Sequence, residues 1–247
     1  MRNVLTIARR ELTTYFNTPV AYVVVPLFLI MTGGWLFGTL FLQNEASLRA
    51  FFTPFWGTMT PNFFSAPFAL AIFAPLVTMR LLAEEQQSGT LELLMTLPVT
   101  DWEVVLGKFL AAVGLLVVAL ALTITFPITV RLMGPLDIGP VIGGYFGLLL
   151  LGSFFLAVGV MASSFTRSQI VAALIALGIC LFIYFIGQFV PLLPNALIPL
   201  FEYMSVAYHF DSIARGVIDS RVVIFYASMT AACLVIAQTT LASRRWR

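Results

Sequence analysis

Charge is scarce in this chain. Only 10% of its 247 residues are Asp, Glu, Lys or Arg, while 60% are apolar, and mean hydropathy is +1.01. A water-soluble core of this size has no use for so much hydrocarbon, so a soluble globular domain is excluded. The formal net charge of +2 is spread over basic residues at the ends of apolar runs, which excludes a nucleic-acid-binding face. Histidine is scarcer still. His209 is the single one, so no metal site can draw on a second imidazole. The two cysteines, Cys180 and Cys233, lie inside apolar runs and read as small hydrophobes, not as a disulfide framework. Catalytic signatures are missing as well: there is no glycine-rich phosphate loop ending in Lys-Ser or Lys-Thr, no HExxH, and no Ser–His pair at comparable membrane depth. No catalytic residue, metal ligand or bound cofactor is expected. The apolar runs also lack the buried acid, base or broken-helix pair of an ion-coupled carrier, since their polar exceptions Gln188 and Gln238 carry no charge. Energy must then come from a partner, or the protein does not pump.

What the chain has instead is six apolar runs, at about residues 20–42, 62–82, 104–130, 141–162, 170–190 and 222–241. Each reaches the roughly 20 residues that a helix needs to cross about 30 Å of hydrocarbon, and the alternation of barrel strands is absent. The fold expected is an all-α integral membrane protein with six transmembrane helices, a single domain over 1–247. Its side is set by Lys and Arg. With the N-terminus inside, the inner flanks hold Arg2, Arg9, Arg10, Arg80, Lys108, Arg167, Arg244, Arg245 and Arg247, against Arg49, Arg131, Arg215 and Arg221 outside. The positive-inside rule therefore puts both termini in the cytoplasm. Arg80 and Lys108 are expected to snorkel to that surface. Pro26 and Pro75 are expected to kink their spans, and Gly143 with Gly147 has the spacing of a close helix contact.

Three segments stand out from the spans. Residues 1–17 do not read as a secretory signal. On a helical wheel Val4, Leu5, Ile7, Leu12, Tyr15 and Phe16 share one half, and Arg2, Thr6, Arg9, Arg10 and Thr13 the other, as in an interfacial helix whose arginines face anionic lipid. Residues 80–108 hold five carboxylates in an otherwise hydrocarbon chain. Within them Ser88 is placed to cap a short helix GTLELLMT, with Leu91, Leu94 and Met95 forming an apolar face and Glu92 pointing away. Pro98 ends it, and Thr100 with Glu103 has capping-box spacing for the next helix. A short surface helix clamped between two spans is suited to being pushed from outside the lipid; the alternative is an ordinary loop helix lying on the headgroups. The third segment, 191–221, opens on a proline-broken leg. It continues as an amphipathic helix in which Val206, Phe210, Ile213 and Val217 share a face, while Glu202, His209, Asp211 and Arg215 are its polar marks. His209 is expected to make a surface hydrogen bond there.

The run EEQQSGTLELLMTLPVTDWEVVLGKF, together with MRNVLTIARRELTTYFNTPVAY before the first span and YMSVAYHFDSIARGVIDSRVVIFY before the last, resembles the permease subunits of ABC-2 type transporters, which have the type V exporter fold. Among them it is most similar to gliding-motility-associated permeases. The pattern E-x-x-x-G-T-L-E-x-L-x-x-x-P, here Glu85 to Pro98, carries the resemblance. It implies an elbow helix over 1–17 bearing Arg2, Arg9 and Arg10, and a cytoplasmic coupling region over 83–103. In that region Glu84 and Glu85 would lead into a coupling helix containing Gly89, Thr90, Leu91, Glu92, Leu94 and Met95, ended by Pro98. Arg167, in the turn 163–169, would lie at a second contact with the ATPase, and 191–221 would be an outer helical hairpin. The resemblance further implies a non-enzymatic permease subunit of an exporter in a bacterial inner membrane, working with two ABC ATPase subunits that hold ATP and Mg. A second permease copy or a paralogue, membrane lipids and an auxiliary subunit with a periplasmic domain complete the expected partners. The alternative is a membrane anchor that passes ATPase motion to a periplasmic partner without moving cargo. Phe63, Phe64, Phe68, Phe73, Phe154 and Phe155 offer either an aromatic cargo wall or ordinary packing.

Overall fold

Inside hydrocarbon every backbone polar group must find a partner within the chain, and the helix is the element that supplies them all locally. The computed structural model describes residues 2–43, 48–52, 65–89, 100–134, 136–187, 205–216 and 219–244, and among these there is no strand. The helices are α1 (Arg2–Asn17), α2 (Pro19–Gln43), α3 (Arg49–Phe52), α4 (Ala66–Thr78), α5 (Ala83–Ser88), α6 (Asp101–Thr123), α7 (Thr125–Met133), α8 (Ile138–Phe165), α9 (Gln169–Ile186), α10 (Val206–Ala214) and α11 (Ser220–Arg244). Five stretches are long and apolar enough to cross a bilayer: Ala66–Ser88, Asp101–Met133, Ile138–Phe165, Gln169–Ile186 and Ser220–Ser243. The bent pair of α1 and α2, which meet at 77°, brings the number to as many as six. The described residues of each of the six apolar runs lie within or directly beside these stretches.

Prolines act where the backbone can be repaired. Pro26 and Pro75 sit inside α2 and α4, which continue through them. Between α6 and α7 the helix breaks, and Pro127 follows. A proline at 127 has no N–H for the carbonyl four residues earlier, at Thr123. The Tyr145 hydroxyl donates to that carbonyl at 2.8 Å, so a side chain of α8 takes over the missing bond.

The bundle is organised around α8, which packs against α4, α6, α9, α10 and α11. Its buried Leu148, Leu151, Phe154 and Phe155 join Leu115 and Leu116 of α6 and Ala69, Leu70 and Phe73 of α4 in one core. Close approach depends on glycine. A Cβ on Gly152 would stand 2.6 Å from Leu116, and one on Gly159 only 1.9 Å from the Thr78 hydroxyl oxygen. The close contact expected at Gly143 and Gly147 is present, but its partner is the short helix α10: a Cβ on Gly147 would lie 3.1 Å from the Phe210 ring. In α2, by contrast, a Cβ on Gly34 or Gly38 would meet no other described residue within 4 Å.

Candidate functional site

The site is built where α4 ends. Its last turn runs into a bend at residues 79–82 and then into α5, whose first N–H groups need acceptors. Ser163, fully buried in the last turns of α8, supplies one: its Oγ accepts from the N–H of Leu82 at 3.1 Å and of Ala83 at 3.0 Å, and its own hydroxyl donates to the Met79 carbonyl at 3.2 Å. The Gln86 side-chain amide donates to the Ser164 carbonyl at 3.1 Å. The turn between α8 and α9, which carries exposed Arg167, is thus fastened to α5. No periodicity in the sequence marks Ser163 for this task.

Ser88 is the last residue of α5, and its hydroxyl donates back to the Glu84 carbonyl at 2.9 Å; the helix it is expected to cap lies, beyond Gly89, outside the described residues. The stop is made by Gly89, which takes the left-handed conformation at φ 72° that glycine adopts without steric cost. Glu84 and Glu85 lie in the first turn of α5. The other residues expected in the coupling helix, Thr90, Leu91, Glu92, Leu94, Met95 and Pro98, lie outside the described residues. The far side of that gap follows expectation. Thr100 caps α6: the Glu103 N–H donates to the Thr100 hydroxyl at 3.4 Å, and the Thr100 N–H donates to the Glu103 carboxylate at 3.1 Å.

Lys108 does not snorkel. Its side chain is 2% exposed, and its ammonium donates to Glu85 of α5 at 2.7 Å and to Glu11 of α1 at 3.0 Å. One buried cation therefore joins three helices, and its partners stand 97 and 23 positions away in the chain. The two carboxylates keep about a quarter of their surfaces or less in contact with solvent, at 24% and 21%. Arg80 pairs with Glu84 at 3.0 Å and reaches the Thr18 hydroxyl at 3.5 Å, a second link between this end of α4 and the junction of α1 with α2.

The inner face of α1 runs along α6. Asn3 donates to Glu103 at 3.2 Å; a Cβ on Gly107 would meet the Ile7 side chain at 2.7 Å, and one on Gly114 would meet Leu12 at 3.0 Å. Tyr15 is buried, and its hydroxyl donates to the Val77 carbonyl at 3.0 Å. Burial, and then the Glu11 carboxylate, push this phenol above its usual pKa. The expected apolar half of the helix is split: Ile7, Leu12 and Tyr15 turn into the protein, whereas Leu5 and Phe16 are exposed together with Arg9 and Arg10. The Arg2 side chain lies outside the description.

The outer set of residues belongs to another place. α10 packs near Gly143 and Gly147, on the order of 30 Å along α8 from Ser163 by helix rise, which is the thickness of a bilayer's hydrocarbon. Val206, Phe210 and Ile213 are buried as their shared face requires, and the Tyr226 hydroxyl donates to the Val206 carbonyl at 3.0 Å. Arg215 pairs with Asp211 on the exposed side. His209 corrects the sequence reading. It is buried, with its ring 4.3 Å from that of Phe225, because α10 is packed against its neighbours on more than one side and leaves this position no open surface. Glu202 and Val217 lie outside the described residues.

Of the six phenylalanines considered as a cargo wall, Phe73, Phe154 and Phe155 are buried within this single chain, and Phe68 stacks near Tyr184 at 5.7 Å. They serve packing; Phe63 and Phe64 lie outside the described residues. Among the described residues no group of three His, Cys, Asp or Glu side chains could hold a metal ion. What the arrangement offers is a mechanical joint, in which α5 is bonded directly to α6 and α8 and, through Lys108, to α1. The family described as "ABC-2 family transporter protein" matches residues 5–240. No curated protein matches the chain.

Proposed function

The chain belongs to the ABC-2 family of transporter proteins, and from that premise we propose that it is the permease subunit of an ATP-driven exporter. It is a multi-pass membrane protein of a family whose partner is an ABC ATPase. The observation that carries the reading is the match over 5–240, which takes in the first span, the joint at α5 and the last span alike.

In this reading two ATPase subunits hold ATP and Mg, and residues 89–96 insert into a groove on one of them. The end of the bundle that carries α5 faces the cytoplasm of a bacterial inner membrane. When ATP draws the ATPases together, the push arrives at Gly89 and α5. It then passes through Ser163 to α8 and through Lys108 to α6 and α1. Up to six spans make half of a transporter, so a second copy or a paralogue completes the path.

Leu91, Leu94 and Met95 are the groove-filling side chains. Burying each contributes on the order of 1.5–3 kcal/mol, whereas a rim ion pair of Glu92 or Glu85 adds roughly 0.2–1 kcal/mol. Leu94→Asp should therefore release or uncouple the ATPase, while Glu92→Gln should leave it nearly unaffected. Pull-down of the ATPase beside its hydrolysis rate in the reconstituted complex, after membrane insertion of each variant is checked, measures both. Wild-type association and wild-type coupled activity in Leu94→Asp would remove 89–96 from the load path.

A further inference from the structure

The face of α1 that turns away from α6 carries a shallow, open groove between the side chains of Leu5, Thr6, Arg9, Arg10 and Thr13, all of this one helix. Arg9 and Arg10 are exposed. Among the described residues neither pairs with a carboxylate: the ion pairs there are Arg80–Glu84, Lys108–Glu11, Lys108–Glu85 and Arg215–Asp211. The acid next in sequence, Glu11, is turned away to Lys108. Two adjacent guanidinium groups are thus left with no neutralising group from their own helix. The same face is not purely polar, because Leu5 is 66% exposed and Phe16 is 38% exposed. Three residues after Phe16 the chain turns into the apolar helix α2 at Pro19.

We propose that this groove binds the headgroup of one anionic glycerophospholipid. The planar, always-charged guanidinium donates paired hydrogen bonds to phosphate oxygens, which suits a phosphodiester better than it suits an ammonium-capped zwitterion. The apolar side chains flanking the arginines give the glycerol and upper acyl carbons a surface to cover. A free phosphate would satisfy the arginines but leave Leu5 and Phe16 in water. An acidic protein segment would meet the same charge without a use for that apolar rim. The proposal stands on the geometry of α1 and does not depend on what the chain transports.

The test uses the full chain in neutral detergent, with bound lipid read by native mass spectrometry and by the shift in melting temperature. Phosphatidylglycerol should be retained in preference to phosphatidylcholine. With two charges at about 1 kcal/mol each, Arg9→Gln with Arg10→Gln should weaken phosphatidylglycerol binding ~30-fold. Arg9→Lys with Arg10→Lys should fall between, and Arg131→Gln should change nothing. A photoactivatable phosphatidylglycerol should label residues 5–16 in the wild-type chain, a readout that survives if the double glutamine variant fails to fold. The proposal is overturned if that label lands elsewhere, or if the double variant binds like wild type. It is equally overturned if Arg131→Gln loses as much, or if inorganic phosphate or a glutamate-rich peptide at millimolar concentration displaces the lipid.

Discussion

The last turns of α8 and its first turns hold their neighbours by different means. Around Ser163 the bonds are polar and directional: three hydrogen bonds on one hydroxyl, a Gln86 amide on a carbonyl, and a buried ammonium shared by two carboxylates. Around Gly143 and Gly147 the bonds are matters of shape, with Ile213 and Phe210 of α10 seated where a Cβ would stand. Phe51 and Phe52 of α3 add edge contacts to each other and to Tyr145. A buried polar joint has few acceptable geometries, so a displaced α5 must carry α1, α6 and α8 with it or leave polar groups unpaired. Apolar contact between small residues and rings is non-directional and tolerates sliding. The α5 end is built to transmit a push, and the α10 end to accommodate one.

The sharpest way to break this contrast is to remove its central charge. Lys108→Met leaves Glu11 and Glu85 facing each other with no cation between them. Removing one partner of a buried pair costs about 3–5 kcal/mol, and because both carboxylates retain some solvent the lower figure applies. The expected result is a fall in unfolding midpoint together with faster amide exchange in α1 and α5, while α10 keeps its protection. Equal loss of protection in α10 would mean that the two ends are not independently held.

Steric substitution should do the reverse. On Gly143 a Cβ would lie 2.5 Å from the Ile213 carbonyl oxygen and 3.1 Å from the Gly216 Cα, both backbone atoms that cannot rotate aside. Gly143→Ala should cost roughly 1–3 kcal/mol, the range for an overpacked contact, and should raise exchange in α10 alone. A change spreading to α1 or α5 would show that α8 conveys strain along its length.

How much of this the sequence carried depends on the distance over which each feature is encoded. Spans are written in every residue of a run, so 141–162 and 222–241 both lie within observed helices, Ile138–Phe165 and Ser220–Arg244. The capping box of Thr100 and Glu103 was legible because both partners sit within one turn. Gly89 carried a readable stop, since glycine after a polar helical stretch marks a C-terminus. Lys108 could not be read correctly, because its partners lie 97 and 23 positions away and no local pattern names them. The burial of His209 likewise depends on Phe225 of α11, which a wheel drawn on α10 alone does not contain.

The smallest effect is the finest test of the contrast, because it repeats the first experiment at the other end. Arg215, like Lys108, is a cation held by a carboxylate, but its side chain is 74% exposed and that of Asp211 is 40% exposed, and the two are one helical turn apart. Water screens such a pair, and neighbours at this spacing on a helix contribute about 0.3–0.5 kcal/mol. Arg215→Gln should therefore leave the unfolding midpoint and the exchange of α10 nearly unchanged, and added salt should shrink what difference from wild type there is. A loss as large as that of Lys108→Met would mean that charge, and not the fit of Phe210 and Ile213 against Gly143 and Gly147, holds α10 in place.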